Sequence, residues 1–170
     1  MKPRSPNRRQ GFTIIEVLTV IVMIGVLIAL AAPSFVTFSA SQKVKTASFD
    51  VYASLVFARS EAIKRRQLVT VTPVSSDWKN GWTVTTPDPA IVPIDPAITI
   101  TLRSQDALSG IVTSGAASVV YRLDGRLNGG ATVGVLIQPQ TADASISNRC
   151  VRVDLTGLPK TTQITDTTCP

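Results

Sequence analysis

The 170 residues are enough for one domain with a substantial core plus one further segment, and they carry 17 basic against 11 acidic side chains, a formal net charge of +6. There is no histidine, and the two cysteines, Cys150 and Cys169, both lie near the C-terminus; this excludes Ser-His and Cys-His catalysis and most zinc sites. Lys2, Arg4, Arg8 and Arg9 all precede the first apolar run with no acid among them, and removing them lowers the net charge to +2, so the basicity is mainly a targeting feature and a weak argument for a polyanionic partner.

After that basic start comes "GFTIIEVLTVIVMIGVLIALAAPSF", in which Glu16 is the only charged side chain and no other follows until Lys43. As a helix rising about 1.5 Å per residue, roughly 20 such residues span a hydrocarbon core of about 30 Å. The basic leader is expected to stay cytoplasmic. "ALAAPS" contains a small-residue Ala29-Leu30-Ala31 pattern compatible with an ordinary secretory cleavage site, but that reading leaves Glu16 unexplained, since an acid in the membrane costs a few kcal/mol and usually marks function. Pro33 either kinks the helix or ends the membrane segment.

Beyond Pro33 the helical signal resumes. "SQKVKTASFDVYASLVFARSEAIKRRQ" has no proline or glycine, and Val44, Ala47, Val51, Leu55, Ala58 and Ala62 recur at spacings of three and four. One face of this half is expected to lie on a globular domain, with Lys64, Arg65 and Arg66 at a helix C-terminus. From Leu68 the pattern changes to short strands: "LVTVTPV", "GWTVTT", "ITITL", "ASVVYRL", "TVGVLIQ" and "RCVRVDL". Turn signals separate them: "DWKNG", the proline-rich stretch from Pro87 to Pro96, "LDGRLNGG" and "LTGLPK". The fold expected is α+β, a long N-terminal helix packed on an antiparallel sheet. Trp78 and Trp82 flank the Asn80-Gly81 turn and are read as packing on that sheet rather than as an exposed base-stacking platform. In an oxidising compartment Cys150 and Cys169 most simply form a disulfide, worth roughly 3 kcal/mol for a loop of this size; two unpaired core thiols are the alternative.

Basic residues followed by Gly11, Phe12, Thr13 and, fifth after the glycine, Glu16 resemble the prepilin signature of type IV pilins and type II secretion pseudopilins. The resemblance implies the pilin fold, cleavage by prepilin peptidase between Gly11 and Phe12, methylation of the new Phe12 amine, and a role for Glu16 in assembly. Physically, a carboxylate in lipid is relieved by pairing with the cationic N-terminus of a neighbouring subunit. The expected division is a leader at 1–11, a membrane and assembly helix at 12–33, an amphipathic half at 34–67 and a β-rich domain at 68–170.

The combination of "ARSEAIKRR", "DWKNGW", "YRLDGRL" and "CVRVDLTGLPK" further resembles the GspH/FimT family, which includes minor pseudopilins and the minor pilins FimT and FimU. This implies a single-pass protein of the bacterial inner membrane, with its C-terminal domain periplasmic and later on a pilus at the cell surface. Its expected partners are other major and minor pilins or pseudopilins, prepilin peptidase and the inner-membrane assembly platform. The function expected is that of a minor pilin near a filament tip, with a type II secretion pseudopilin as the alternative. DNA is a further partner class, because some FimT-branch proteins bind DNA during natural transformation and carry a Gly-Arg-x-Arg pattern in a C-terminal loop. Here Gly157 matches, while Leu158 and Lys160 stand in place of the two arginines, which weakens phosphate recognition. The candidate DNA contacts are Arg149, Arg152 and Lys160, with Arg122 and Arg126 as further scattered cations. Nothing in the residue spacing suggests a carboxylate pair or a Ser-Lys dyad, so no enzyme, cofactor or metal is expected.

Overall fold

The computed structural model describes residues 11–91, 95–141, 143 and 145–169, the side chains of 31–33 excepted. Most of the leader therefore lies outside the described residues, as does the side chain of Pro33. The chain divides into two compact units, Met1–Val36 and Thr37–Pro170.

Helix α1, Ile14–Arg65, has 52 residues. Two pieces, Ile14–Leu30 and Ser34–Arg65, are joined through the three residues that include Pro33. Among the described residues no single unbroken helix is long and apolar enough to cross a membrane, whereas these two pieces meet that requirement together. In the first unit the large apolar side chains, from Phe12 to Val36, are exposed to solvent wherever they are described. Thr19 donates its hydroxyl hydrogen bond to the Ile15 carbonyl at 2.8 Å, which satisfies that polar group within the helix.

In the second unit α1 buries one stripe. Val44, Ala47, Val51, Leu55, Ala58 and Ala62 are all buried, at the spacing read from the sequence. Fully burying each of the larger aliphatic side chains contributes about 1.5–3 kcal/mol. The helix stops at Arg66, whose φ of 54° lies in the left-handed region, and Gln67 donates its amide to the Ala62 carbonyl at 3.3 Å. That closes a Schellman-type cap, with Lys64 and Arg65 in the last turn beside the negative end of the helix dipole.

Among the described residues the remaining chain forms eight strands, all paired antiparallel. β1 (Val69–Pro73), β2 (Trp82–Pro87), β3 (Thr99–Gln105) and β5 (Val119–Tyr121) make a sheet in the order β3-β2-β1-β5. β4 (Ile111–Gly115), β6 (Val133–Pro139), β7 (Asn148–Val153) and β8 (Pro159–Ile164) make a second, in the order β4-β6-β7-β8. Two four-stranded sheets thus stand where a single sheet was expected. One core joins them to the helix stripe: Val69, Val71, Trp82 and Tyr121 from the first sheet, and Val135, Ile137, Val151 and Val153 from the second.

Two strands, β4 and β8, were not expected. β4 is short and ends in small residues, and β8 opens on a proline that reads as a turn, yet Pro159 pairs with Val153 and starts an edge strand, a position where a missing N–H is tolerated. The "DWKNG" turn also differs from a two-residue hairpin: Trp78–Asn80 form a short 3-10 turn, capped by Asp77, whose carboxylate accepts from the Lys79 amide at 3.1 Å. Trp78 and Trp82 are buried with ring centroids 5.7 Å apart, and the Trp78 indole N–H donates to the Ala116 carbonyl at 2.8 Å. The tryptophans pack, as expected.

Cys150 and Cys169 are joined by a disulfide, and Asn148 ties the same tail down by donating to the Asp166 carbonyl at 3.0 Å. A Cβ at Gly134 would stand 2.6 Å from the Cys169 sulfur. Glycine is therefore what lets the tail seat beside β6. Gly134→Val is expected to displace the tail and leave Cys150 and Cys169 as reactive thiols, read by thiol labelling without reductant; labelling no greater than in the wild type would contradict this packing.

The carboxylate of Glu61, buried near the helix end, accepts from Arg65 Nε at 2.6 Å and faces Lys64 at 3.5 Å. The Arg65 hydrogen bond holds its pKa below the ordinary 4.5, against the opposing effect of burial. Folding therefore favours the ionised form: the stabilisation is fully present above the unfolded value and is lost as pH falls through the lower folded one. Glu61→Gln is expected to make acid unfolding below about pH 4.5 less steep, measured by circular dichroism across a pH series; an unchanged acid limb would show that the pair contributes nothing.

Candidate functional site

The N-terminal segment is simple. Gly11, Phe12 and Thr13 precede the helix in exposed, irregular backbone, and Phe12 is 83% exposed. Among the described residues a Cβ at Gly11 would meet nothing within 4 Å.

Thr13 caps the helix: its hydroxyl oxygen accepts from the Glu16 amide at 3.3 Å. Thr13-Ile14-Ile15-Glu16 thus has the spacing of a capping box, and the acid sits in the first turn, where the helix dipole favours negative charge. Thr13 is thus more than a motif residue, and the T-x-x-E spacing is the sequence signal of its capping role. The Glu16 side chain itself is exposed.

The C-terminal loop belongs to the other unit. Between β7 and β8, Asp154 accepts hydrogen bonds from the Thr156 hydroxyl and, at 3.0 Å, from the Thr156 amide, which hold its carboxyl below the usual range. Gly157 has φ 80°, and a Cβ there would collide with the Gly125 carbonyl oxygen. The β5–β6 turn therefore lies directly against this loop. That turn is in turn held to α1 by Arg59, whose Nε donates to the Gly125 carbonyl at 3.0 Å. The glycine that matched the DNA-binding pattern has a packing role of its own.

The basic residues are not gathered into one patch. Arg152 pairs directly across with Lys160 on β8, and both are exposed. Arg149, an odd number of positions from Arg152, shares the opposite face with buried Val151 and Val153 and is half-buried. Leu158 is 48% exposed, and Arg122 and Arg126 are exposed on the neighbouring turn. Among the described residues no group of three or more His, Cys, Asp or Glu is placed to hold a metal ion.

An exposed apolar helix with an acid in its first turn, continuous with a helix packed on antiparallel sheets, defines a membrane-anchored pilin-like subunit. The family model described as Type II transport protein GspH matches residues 47–157, and the prokaryotic N-terminal methylation motif matches residues 6–32. The chain belongs to the GspH family. The fold is similar to crystal structures of the type IV minor pilin FimU from Pseudomonas aeruginosa strain PAO1. In one, in space group P21, the TM-score is 0.60 at 16% identity, covering 78% of this chain and 96% of that one. In another, in space group P65, the TM-score is 0.59 at 16% identity, covering 74% and 99%. No curated protein matches.

Proposed function

We propose that this chain is a minor pilin: a structural subunit, made with a leader at 1–11, that inserts in the bacterial inner membrane through 12–33 and joins or primes a type IV pilus near its tip. Prepilin peptidase cuts between Gly11 and Phe12 on the cytoplasmic side, and the Phe12 amine is methylated. The helix from 34–67 and the β-rich domain from 68–170 stand in the periplasm and later at the cell surface. Its partners are major and minor pilins and the inner-membrane assembly platform.

The observation that carries this reading is Glu16, exposed in the first turn of a helix whose large apolar side chains are exposed as well. Such a surface has to be covered, by lipid before assembly and by other helices after it. In either setting a carboxylate is stabilised by a cationic partner, and the new amine of a neighbouring subunit's Phe12 supplies one. Gly11 supports the same reading: among the described residues no contact calls for a glycine there, whereas a peptidase that reads the small residue before the cut does. The type II secretion pseudopilin is the second reading, favoured by the description of the family model. DNA binding has less support, because Arg149 and Arg152 lie on opposite faces of β7 and Leu158 replaces an arginine.

Capping and assembly make different demands on Glu16. The backbone N–H that bonds Thr13 survives Glu16→Gln, but the charge does not. E16Q is expected to leave membrane level and leader removal unchanged and to lower the amount of this subunit in sheared filaments by about tenfold or more, the equivalent of one lost ion pair in lipid. Quantitative immunoblotting of both fractions reads this; undiminished incorporation would reduce Glu16 to a helix-capping acid.

A further inference from the structure

We propose that the groove between α1 and the free edge of β8 is a docking site for an extended, carboxylate-bearing segment of another protein, taken up by strand addition. The groove has a volume of about 850 Å³ and lies entirely within the globular unit, between helix residues Lys45 to Tyr52 and strand residues Pro159 to Thr162. Phe49 stands on its helix wall, 67% exposed although it belongs to the half of α1 that packs on the domain. Tyr52 continues that wall, half-buried. β8 is the last strand of its sheet, so one side of its backbone has no neighbouring strand. An open ladder edge beside an apolar trough is the arrangement that takes an added strand: the backbone supplies hydrogen bonds and alternate side chains fill the trough.

The charge around the groove specifies the occupant. Lys45 and Arg149 line it, whereas Lys160 shares the opposite face of the sheet with Arg152, and among the described residues no acid lines it. Lys45 and Arg149 also line an adjoining recess of about 160 Å³ whose other walls are serines and a glutamine, again with no acid. Among the described residues the side chains of Lys45 and Arg149 make no hydrogen bond or ion pair. A half-buried guanidinium is costly to leave without an anionic partner; among the described residues no carboxylate lines the recess, and an incoming one would supply that partner. Nucleic acid fits less well: its backbone calls for a row of exposed cations, and here the arginine is half-buried. The filament reading bears on this only by making a neighbouring subunit the source of the segment.

The test uses the full chain in nanodiscs of uncharged phosphatidylcholine, without filament assembly, so its outcome is independent of the function proposed above. The probes are fluorescent peptides of about eight residues alternating valine with aspartate or valine with lysine, and a single-stranded oligonucleotide. The aspartate peptide is expected to bind more tightly than the lysine peptide and to protect the amides of β8 from hydrogen exchange. Arg149→Glu and, independently, Lys45→Glu are expected to weaken it about tenfold or more, while Phe49→Ser weakens both peptides alike. Lys45 is exposed on the helix, so K45E reports even if R149E disturbs the fold. Equal binding of the two peptides, binding indifferent to K45E, or no protection of β8 would overturn the proposal. Tighter binding of the oligonucleotide with the same dependence on Arg149 would assign the groove to nucleic acid instead.

Discussion

One helix has to serve two environments, and the rest of the structure follows from that. Up to Val36 the described large apolar side chains of α1 are exposed, a surface that lipid or partner helices can cover. From Val44 it is apolar on one stripe only, and the chain's own sheets cover that stripe. A helix hydrophobic all round and a helix hydrophobic on one face are ordinarily different kinds of element. Joining them leaves the first half dependent on lipid or partner helices and gives the second half a folding core that needs neither.

The domain is assembled around that second half by close approaches at its ends. The β5–β6 turn is clamped between Arg59 on the helix and Gly157 in the β7–β8 loop. The C-terminal tail is held to β7 by the disulfide and by Asn148, over a glycine whose missing side chain makes room for the sulfur. These contacts give Gly157, which a sequence motif invites one to read as functional, a packing role.

The helix stripe and six strands were legible because their signals are periodic: spacings of three and four in α1, and alternating β-branched residues in β1 and β6. β4 and β8 were hidden for a physical reason. An edge strand can begin with proline and remain polar, so "PKTTQI" carries turn chemistry and no apolar alternation, although Thr161 and Lys160 pair with Val151 and Arg152. The division into two sheets depends on which strands find each other across long separations, and one sequence does not display that. At the N-terminus the motif residues were readable, but the capping bond from the Glu16 amide to Thr13 shows that a functional signature and a helix start can share the same residues. Arg149, read from sequence as one of several cations, is set apart by its burial and its face, both products of tertiary structure.

Assembly through α1 requires that the apolar helix be retained after a cut that leaves Phe12 first. Intact mass and N-terminal sequence of the chain recovered from native membranes test this most directly. A chain beginning at methylated Phe12 keeps Glu16 and is the predicted result. A chain beginning near Ala32 would be an ordinary secreted domain without the helix on which assembly depends, and would rule out the minor-pilin role.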